Sequence, residues 1–234
     1  MVHSPSFNLG SSMNLPVNFD SVKLDGMLSD WMTVLRAYSV DAVVVLGPAP
    51  FGLRHERQVV AVHPPRLLSA ATALADSTDF GAPWHDSDAP LVVWQDVATS
   101  AMDHANRWRR LWLGHGFQSV VRVEFALPTG RAFECFMFSP RALHDRAEAA
   151  ALAWSALNIW PLLKRTIAEA RSPLSPRECE CLVLAFEGKT AAETALALAC
   201  SERTVTYHLA NAMRKLKVEN KIAAIQRACL LGAI

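Results

Sequence analysis

SPRECECLVLAFEGKTAAETALALACSERTVTYHLANAMRKLKVENKIAA, residues 175–224, spells out one helix start after another. Ser175-Pro176-Arg177-Glu178 sets a capping serine before a proline at the first helical position and a glutamate at the third. This is a capping box, in which each end satisfies the other's backbone donor. The helix it opens runs through Cys181, Leu182 and Leu184 and stops at Gly188, which suits the left-handed position after a helix end. Thr190-Ala191-Ala192-Glu193 is a second capping box, predicting a helix through Leu196 to Ala199. Ser201 caps a third helix over Glu202–Leu216, and a fourth follows from Asn220 to about Leu231. The second and third helices are joined only by Ala199-Cys200-Ser201, which is helix-turn-helix spacing.

The third helix has two faces. Val205, Leu209, Ala212 and Leu216 recur at helical spacing and form the expected core side. Arg203, Thr206, Tyr207, Ala210 and Arg214 form a separate, polar-leaning stripe, with Thr204 beside it. Small and hydrogen-bonding groups set between arginines suit the DNA major groove, where bases are read closely and arginines at the margins meet phosphate. Lys189 and Lys221 are placed to add backbone contacts. An amphipathic helix with outward arginines is more often only solvated; three consecutive capped helices weigh against that here.

Charge supports a local nucleic-acid surface and no more. The net charge of the chain is +1, and residues 172–234 carry 8 Lys/Arg against 6 Asp/Glu, most of the excess lying between Arg203 and Lys221. A chain coating nucleic acid or anionic membrane over its whole surface would be far more basic. The five cysteines (Cys135, Cys179, Cys181, Cys200, Cys229) are odd in number and scattered, as expected of thiols in a reducing cytosol. Cys179 and Cys181 have no second ligand pair at zinc spacing and lie on different helix faces, so no metal site is expected. No apolar run approaches the length of a membrane span. The start, MVHSPSFNLGSSMN, lacks the basic and apolar regions of a signal peptide and reads as a polar tail. The expected location is the cytoplasm.

Upstream, apolar spacing (Val22, Leu24, Met27, Leu28, Trp31, Leu35) predicts a helix over Phe19–Tyr38. Asp41–Leu46 and Gln58–Val62 read as paired strands across a Gly/Pro-rich segment. Leu67–Ala75 reads as a helix, Asp76–Trp94 as irregular, and Asp103–Gly114 as a helix with Trp108, Leu111 and Trp112 on one side. Ser119–Leu127 and Arg131–Phe138, joined by Pro128-Thr129-Gly130, carry a strong hairpin signal. Pro140–Arg171 reads as one long alanine-rich helix, bent at Pro161. This order implies one antiparallel sheet between helices. Arg171-Ser172-Pro173 is the expected linker.

The run LSPRECECL…EGKT…CSERTVTYHL…AMRKLKVENKIAA closely resembles the C-terminal domain of LuxR-type regulators, matching at Glu178, Leu182, Gly188, Ser201–Val205 and His208. The ending Asn220-Lys221…Ala224…Ala228…Gly232-Ala233-Ile234 looks most like the quorum-sensing branch. The resemblance makes Glu202–Leu216 the recognition helix, with Thr206 and Ala210 at base-contacting positions; His208 reads as a packed residue. Two architectures precede such a domain. A phospho-receiver is disfavoured, because Gly47-Pro48-Ala49-Pro50 follows the first strand without an acidic pair and the hairpin contradicts an all-parallel sheet. The other is the acyl-homoserine-lactone-binding domain, an α-β-α sandwich, whose order of elements matches. On that resemblance Asp79 falls at the amide-binding aspartate, and Pro90 with Trp94 resembles the family's Pro-x-x-Trp stretch with one extra residue. Gly116-Phe117 resembles the glycine before the central hairpin. The lactone-contacting tryptophan is replaced by Arg66, neighbouring aromatic positions hold Val62 and Ala70, and Phe80 stands where proline is usual. Trp84, Trp94, Trp108 and Trp112 are pocket candidates, although such aromatics more often build core.

The expected fold is α+β: an N-terminal α-β-α sandwich for sensing and dimerisation (1–170), a linker (171–173) and an all-α four-helix helix-turn-helix domain (174–234). The DNA-binding set is Lys189, Arg203, Thr204, Thr206, Tyr207, Ala210, Arg214 and Lys221; the ligand set is Arg66, Asp79, Trp84, Trp94 and Trp108. The expected partners are double-stranded DNA, a second copy of the chain, a small-molecule signal and RNA polymerase, with no membrane. Ala149–Ala153, Trp154 and the end of the last helix are candidate dimer surfaces, although bending around the core explains their apolarity equally well. Three states of the sensor stay open: an acyl-homoserine lactone, a different small molecule, or no ligand in an orphan regulator. A fourth reading is an interaction protein that blocks a related regulator by forming mixed dimers. No Gly-x-Ser-x-Gly, phosphate-cradling loop or His/Glu metal motif is present, and His55, His63, His85 and His104 are dispersed, so no catalysis and no cofactor are expected.

Overall fold

Among the described residues five antiparallel strands build one sheet in the order β2-β1-β5-β4-β3: β1 Ala42–Pro48, β2 Arg57–His63, β3 Val92–Asp96, β4 Ser119–Ala126 and β5 Ala132–Ser139. The structure, a computed structural model, describes residues 24–49, 56–77, 92–98, 106–127, 131–143 and 145–234. The expected hairpin is present, pairing Ser119 with Ser139 at one end and Ala126 with Ala132 at the other. β1 and β2 pair as the sequence predicts, with a register shift: Val45 faces Ala61 and Leu46 faces Val59, leaving Val60 as the extra residue of a bulge.

Two expectations need correction. The segment expected to be irregular as far as Trp94 instead supplies strand β3, whose register runs from Val92 opposite Val123 to Asp96 opposite Ser119. Val92 and Val93 suit a strand, but the ladder that holds this edge comes from β4, with Val92 opposite Val123 and Asp96 opposite Ser119, and is invisible locally. The long helix begins at Arg146 rather than Pro140, because the Asp145 carboxylate caps it by accepting from the Glu148 backbone N–H at 2.9 Å. Pro161 lies inside this helix, which continues to Arg171.

Among the described residues four helices cover the sheet: α1 Leu24–Leu35, α2 Leu68–Ala75, α3 Arg107–Gly114 and α4 Arg146–Arg171. Strand alternation sends two sets of side chains to opposite faces. Val43, Val45, Val121, Val123, Cys135 and Met137 pack with α1 and α4 through Met27, Trp31, Leu152, Ala156 and Ile159. Trp31 Nε1 donates to Ser155 Oγ at 2.9 Å, tying α1 to α4. The other set, Val44, Leu46, Val120, Phe136 and Phe138, packs under α2 and α3 with Leu67, Leu74, Trp108 and Trp112. Here Trp112 stacks on Phe138 at 3.6 Å between ring centroids, and its Nε1 donates to Ala70 O at 3.2 Å. Burial on both faces makes this an α-β-α sandwich.

Ala149 and Ala153, read as either a dimer surface or a face packed on the core, are turned into the core, whereas Trp154 and Leu157 stand 63% and 47% exposed. The five cysteines are free thiols, and burial pushes the Cys135 thiol up, away from thiolate character. Among the described residues no helix is long and apolar enough to cross a membrane, and no group of His, Cys, Asp and Glu is placed to hold a metal ion.

The C-terminal domain is four helices: α5 Pro176–Phe186, α6 Ala191–Ala197, α7 Glu202–Lys215 and α8 Lys221–Leu230. Both capping boxes form, at Ser175/Glu178 and Thr190/Glu193, and Ser201 and Asn220 cap α7 and α8.

Candidate nucleic-acid interface

Helix α7 is held from three sides. Its N-terminus is set by Ser201, whose hydroxyl accepts from the Thr204 backbone N–H at 3.1 Å. The preceding turn passes through Ala199 in the left-handed region (φ 50°), and Cys200 N donates to Ala195 O at 2.9 Å, locking α6 to the turn. Along its inner face Val205, Ala212 and Leu216 are fully buried, Val205 with Cys181 and Ala195, and Ala212 and Leu216 with Leu182 and Ala224. At its far end Arg227 of α8 donates to Leu216 O at 2.7 Å, satisfying a carbonyl that the helix terminus leaves open.

A charged strut fixes α7 against α5. Lys215 Nζ donates to Glu178 Oε2 at 2.8 Å, and the same oxygen accepts from Ser175 N at 2.7 Å. Burial pushes the Glu178 carboxyl up, but the bonds from Lys215 and Ser175 and the Lys215 charge outweigh it, so its pKa lies below the ordinary glutamate value. A carboxyl depressed on folding stabilises the fold above its unfolded pKa, and that contribution is lost as pH falls through the folded value. Acid titration of the melting temperature should therefore show a fall beginning near the ordinary carboxyl range, and Glu178→Gln should flatten it. An unchanged acid limb in Glu178→Gln would show that the strut contributes nothing to folding.

The outer face of α7 carries the residues expected there. Arg203, Thr206, Tyr207, Ala210 and Arg214 are all exposed, Tyr207 at 64%, and Thr204 is half-buried beside its cap. Arg203 and Arg214 are eleven residues apart, which is three helical turns and roughly 16 Å along the axis, on one face. That separation slightly exceeds the roughly 12 Å width of the B-DNA major groove. The two arginines thus mark the ends of this face, with Thr206, Tyr207 and Ala210 between them. Among the described residues no carboxylate forms an ion pair with Lys189, Arg203, Arg214 or Lys221, although Lys189 lies near enough to Glu193 for its charge to act on that carboxyl. Thr206 Oγ1 donates to Glu202 O at 2.9 Å, leaving lone pairs and a methyl group for an incoming base edge. His208 is half-buried, its ring against Tyr207 at 5.8 Å between centroids, as suits a packing residue. Sequence reasoning missed the Lys215–Glu178 strut and the Arg227 cap, because both join residues from different helices.

The expected ligand set of the N-terminal domain is not brought together. Arg66 is exposed in a short 3-10 turn, Pro65–Leu67. Trp94 packs with the α1/α4 face, while Trp108 is fully buried on the α2/α3 face, so the thickness of the sheet separates them. Asp79 and Trp84 lie outside the described residues.

Comparison with known proteins bears on the C-terminal domain that carries this face. Residues 172–228 match the family model for bacterial regulatory proteins, luxR family. The transcriptional activator protein LuxR of Aliivibrio fischeri is 47% identical over 66 residues, covering 28% of this chain and 26% of that protein. The quorum sensing-dependent transcriptional regulator RpaR of Rhodopseudomonas palustris is 50% identical over 64 residues, covering 27% and 26%. The transcriptional activator protein SolR of Ralstonia solanacearum extends the likeness to 147 residues at 40% identity, 63% of this chain and 60% of SolR. The match thus spans about a quarter of the first relatives' length. Among solved structures, SdiA in complex with octanoyl-rac-glycerol superposes with a TM-score of 0.51 at 17% identity, covering 89% of this chain and 88% of that one, which supports the two-domain fold. Residues 172–228 thus form a domain of the kind found in the luxR family of bacterial regulatory proteins.

Proposed function

We propose that the chain is a dimeric, DNA-binding transcriptional regulator of the quorum-sensing type whose N-terminal domain responds to a small molecule. The observation that carries the DNA-binding part is the outer face of α7, where two exposed arginines with no carboxylate partner among the described residues bracket Thr206, Tyr207 and Ala210 within a luxR-family domain. In this reading Arg203, Arg214, Lys189 and Lys221 contact phosphates and fix register, and Thr206 and Ala210 approach bases. Thr204, held by Ser201, meets the backbone at the helix N-terminus. The hydroxyl of Thr206 is committed as a donor, so it accepts from a base amino group or sets its methyl against thymine.

A two-fold dimer requires inverted half-sites, one per recognition helix. The exposed Trp154 and Leu157 of α4 fit the contact between copies, and RNA polymerase is the partner through which DNA binding becomes regulation. The relatives LuxR and SolR are transcriptional activators, and SdiA was solved with octanoyl-rac-glycerol; an acyl compound is accordingly one candidate class of signal. A cytoplasmic location and the absence of enzymatic activity belong to the same reading.

Binding-site selection from a random DNA library tests the whole. The expected product is a two-fold symmetric site, with Trp154→Arg lowering dimer mass in sedimentation and weakening binding to the full site. A selected site without symmetry, or no enrichment of any site, would overturn the dimeric-regulator reading. Enrichment only when a related regulator is added would point instead to an interaction protein acting through mixed dimers.

A further inference from the structure

A cleft of about 600 Å³ lies where the two domains meet, within the roughly 300–1,000 Å³ of small-molecule sites. Helix α4 forms one wall with Pro161, Lys164 and Ala168, and the C-terminal domain forms the other with Leu174, Cys179 and Ile234. The walls touch just beyond α8. Gly232 is buried there, and a side chain begun at it would lie 3.7 Å from the Lys164 stem and 3.8 Å from Phe133 of β5. Most of the lining is apolar, and three charged groups stand on it. Arg165 and Glu169 neutralise each other, Nε donating to Oε1 at 2.8 Å. Lys164 is half-buried, and among the described residues no carboxylate lies within ion-pair distance of it. Pro176 and Cys179 also bring the first turn of α5, the positive end of its helix dipole, to the cleft.

We propose that this cleft binds an amphiphile carrying one negative charge, its head on Lys164 and its chain along Pro161, Ala168 and Leu174. The site lies outside the sandwich and does not depend on the N-terminal domain responding to a signal. Three features carry the assignment. The apolar lining favours a hydrocarbon body over a wholly polar solute. The one uncompensated charge is positive, so a single anionic head balances it, whereas a cationic head would face Lys164 and a second negative charge would face Glu169 without a partner. A hydrogen bond from an ammonium to an anion is stronger than a neutral one, and more so where protein walls exclude part of the water. An occupant would touch both domains at once. Its binding would therefore favour this placement of the DNA-binding helices over any that opens the cleft.

Octanoate, octan-1-ol and octylamine share one eight-carbon chain and differ in the charge of the head. Octanoate is expected to raise the melting temperature of the full-length protein saturably. It should also slow alkylation of Cys179 by iodoacetamide, followed by peptide mass spectrometry, because that half-buried thiol lines the cleft. Cys200, half-buried in a different cluster with Ala195 and Val205, should keep its rate. Octan-1-ol should need about tenfold higher concentration for the same protection, and octylamine should give none. Lys164→Gln should weaken octanoate by about tenfold, the loss of one hydrogen bond to a charged group, and Lys164→Arg should keep the preference for octanoate. A melting shift without protection of Cys179 would place octanoate elsewhere and overturn the assignment. So would equal protection by octylamine, no protection by any probe, or unchanged octanoate affinity in Lys164→Gln. Protection of Cys179 is read in the parent protein, so the proposal stays open to refutation even if Lys164→Gln folds poorly.

Discussion

Arg122→Leu is expected to destabilise the N-terminal domain by about 3–5 kcal/mol, the cost of removing one partner from a buried ion network. The loss falls on two carboxylates at once. Glu124 would keep no ion-pair partner among the described residues, and Glu134 would keep only Arg57. Because the two glutamates face each other across the β4–β5 ladder, their repulsion would act without a bridge. Against a total stability of about 5–15 kcal/mol, the change approaches the limit of folding. Urea unfolding should show a lower midpoint with an unchanged slope. Arg122→Leu/Glu124→Leu should recover part of the loss, because the second substitution removes the uncompensated charge. A cost near zero for Arg122→Leu, or strict additivity in the double variant, would show that the pairs do not act together.

This network also marks where the sequence stops being legible. In SVVRVEFA, Arg122 and Glu124 occupy the polar positions of an alternating strand, which ordinarily means a face turned to water. Only the covering helices α2 and α3 turn that face into an interior, and their docking depends on contacts between distant residues, such as Trp112 with Ala70 and Phe138. Trp94 and Trp108 show the same limit. Read along the chain they are two aromatics available to one pocket; β3 pairing puts them on opposite sides of the sheet. The C-terminal domain was legible almost to the residue because its signals are local. A capping serine and its glutamate lie three positions apart, and burial of Val205, Ala212 and Leu216 follows from helical period alone. What stayed hidden there, the Glu178–Lys215 strut, is again a contact between helices.

Arg203→Ala and Arg214→Ala are each expected to weaken DNA binding by about ten- to a hundredfold, the range for losing a hydrogen bond to a charged group. The effect should be nearly the same for specific and random duplexes, because phosphate contacts carry no base information. Its signature is in salt: each variant should reduce the slope of log affinity against log salt by about 0.9, and the double variant by about twice that. Neither arginine supports the fold, since both are exposed and Arg214 makes only a 3.3 Å bond to Asn211 within its own helix. Melting temperatures should therefore hold, separating lost binding from lost structure. Thr206→Ala should behave oppositely, keeping the salt slope while relaxing base preference at one position of each half-site. If the arginine variants kept the parent slope, α7 would not lie in the groove with its ends on the phosphates. If Thr206→Ala instead lowered the slope and left the selected site unchanged, the base-reading face of α7 would have to be rotated away from Thr206.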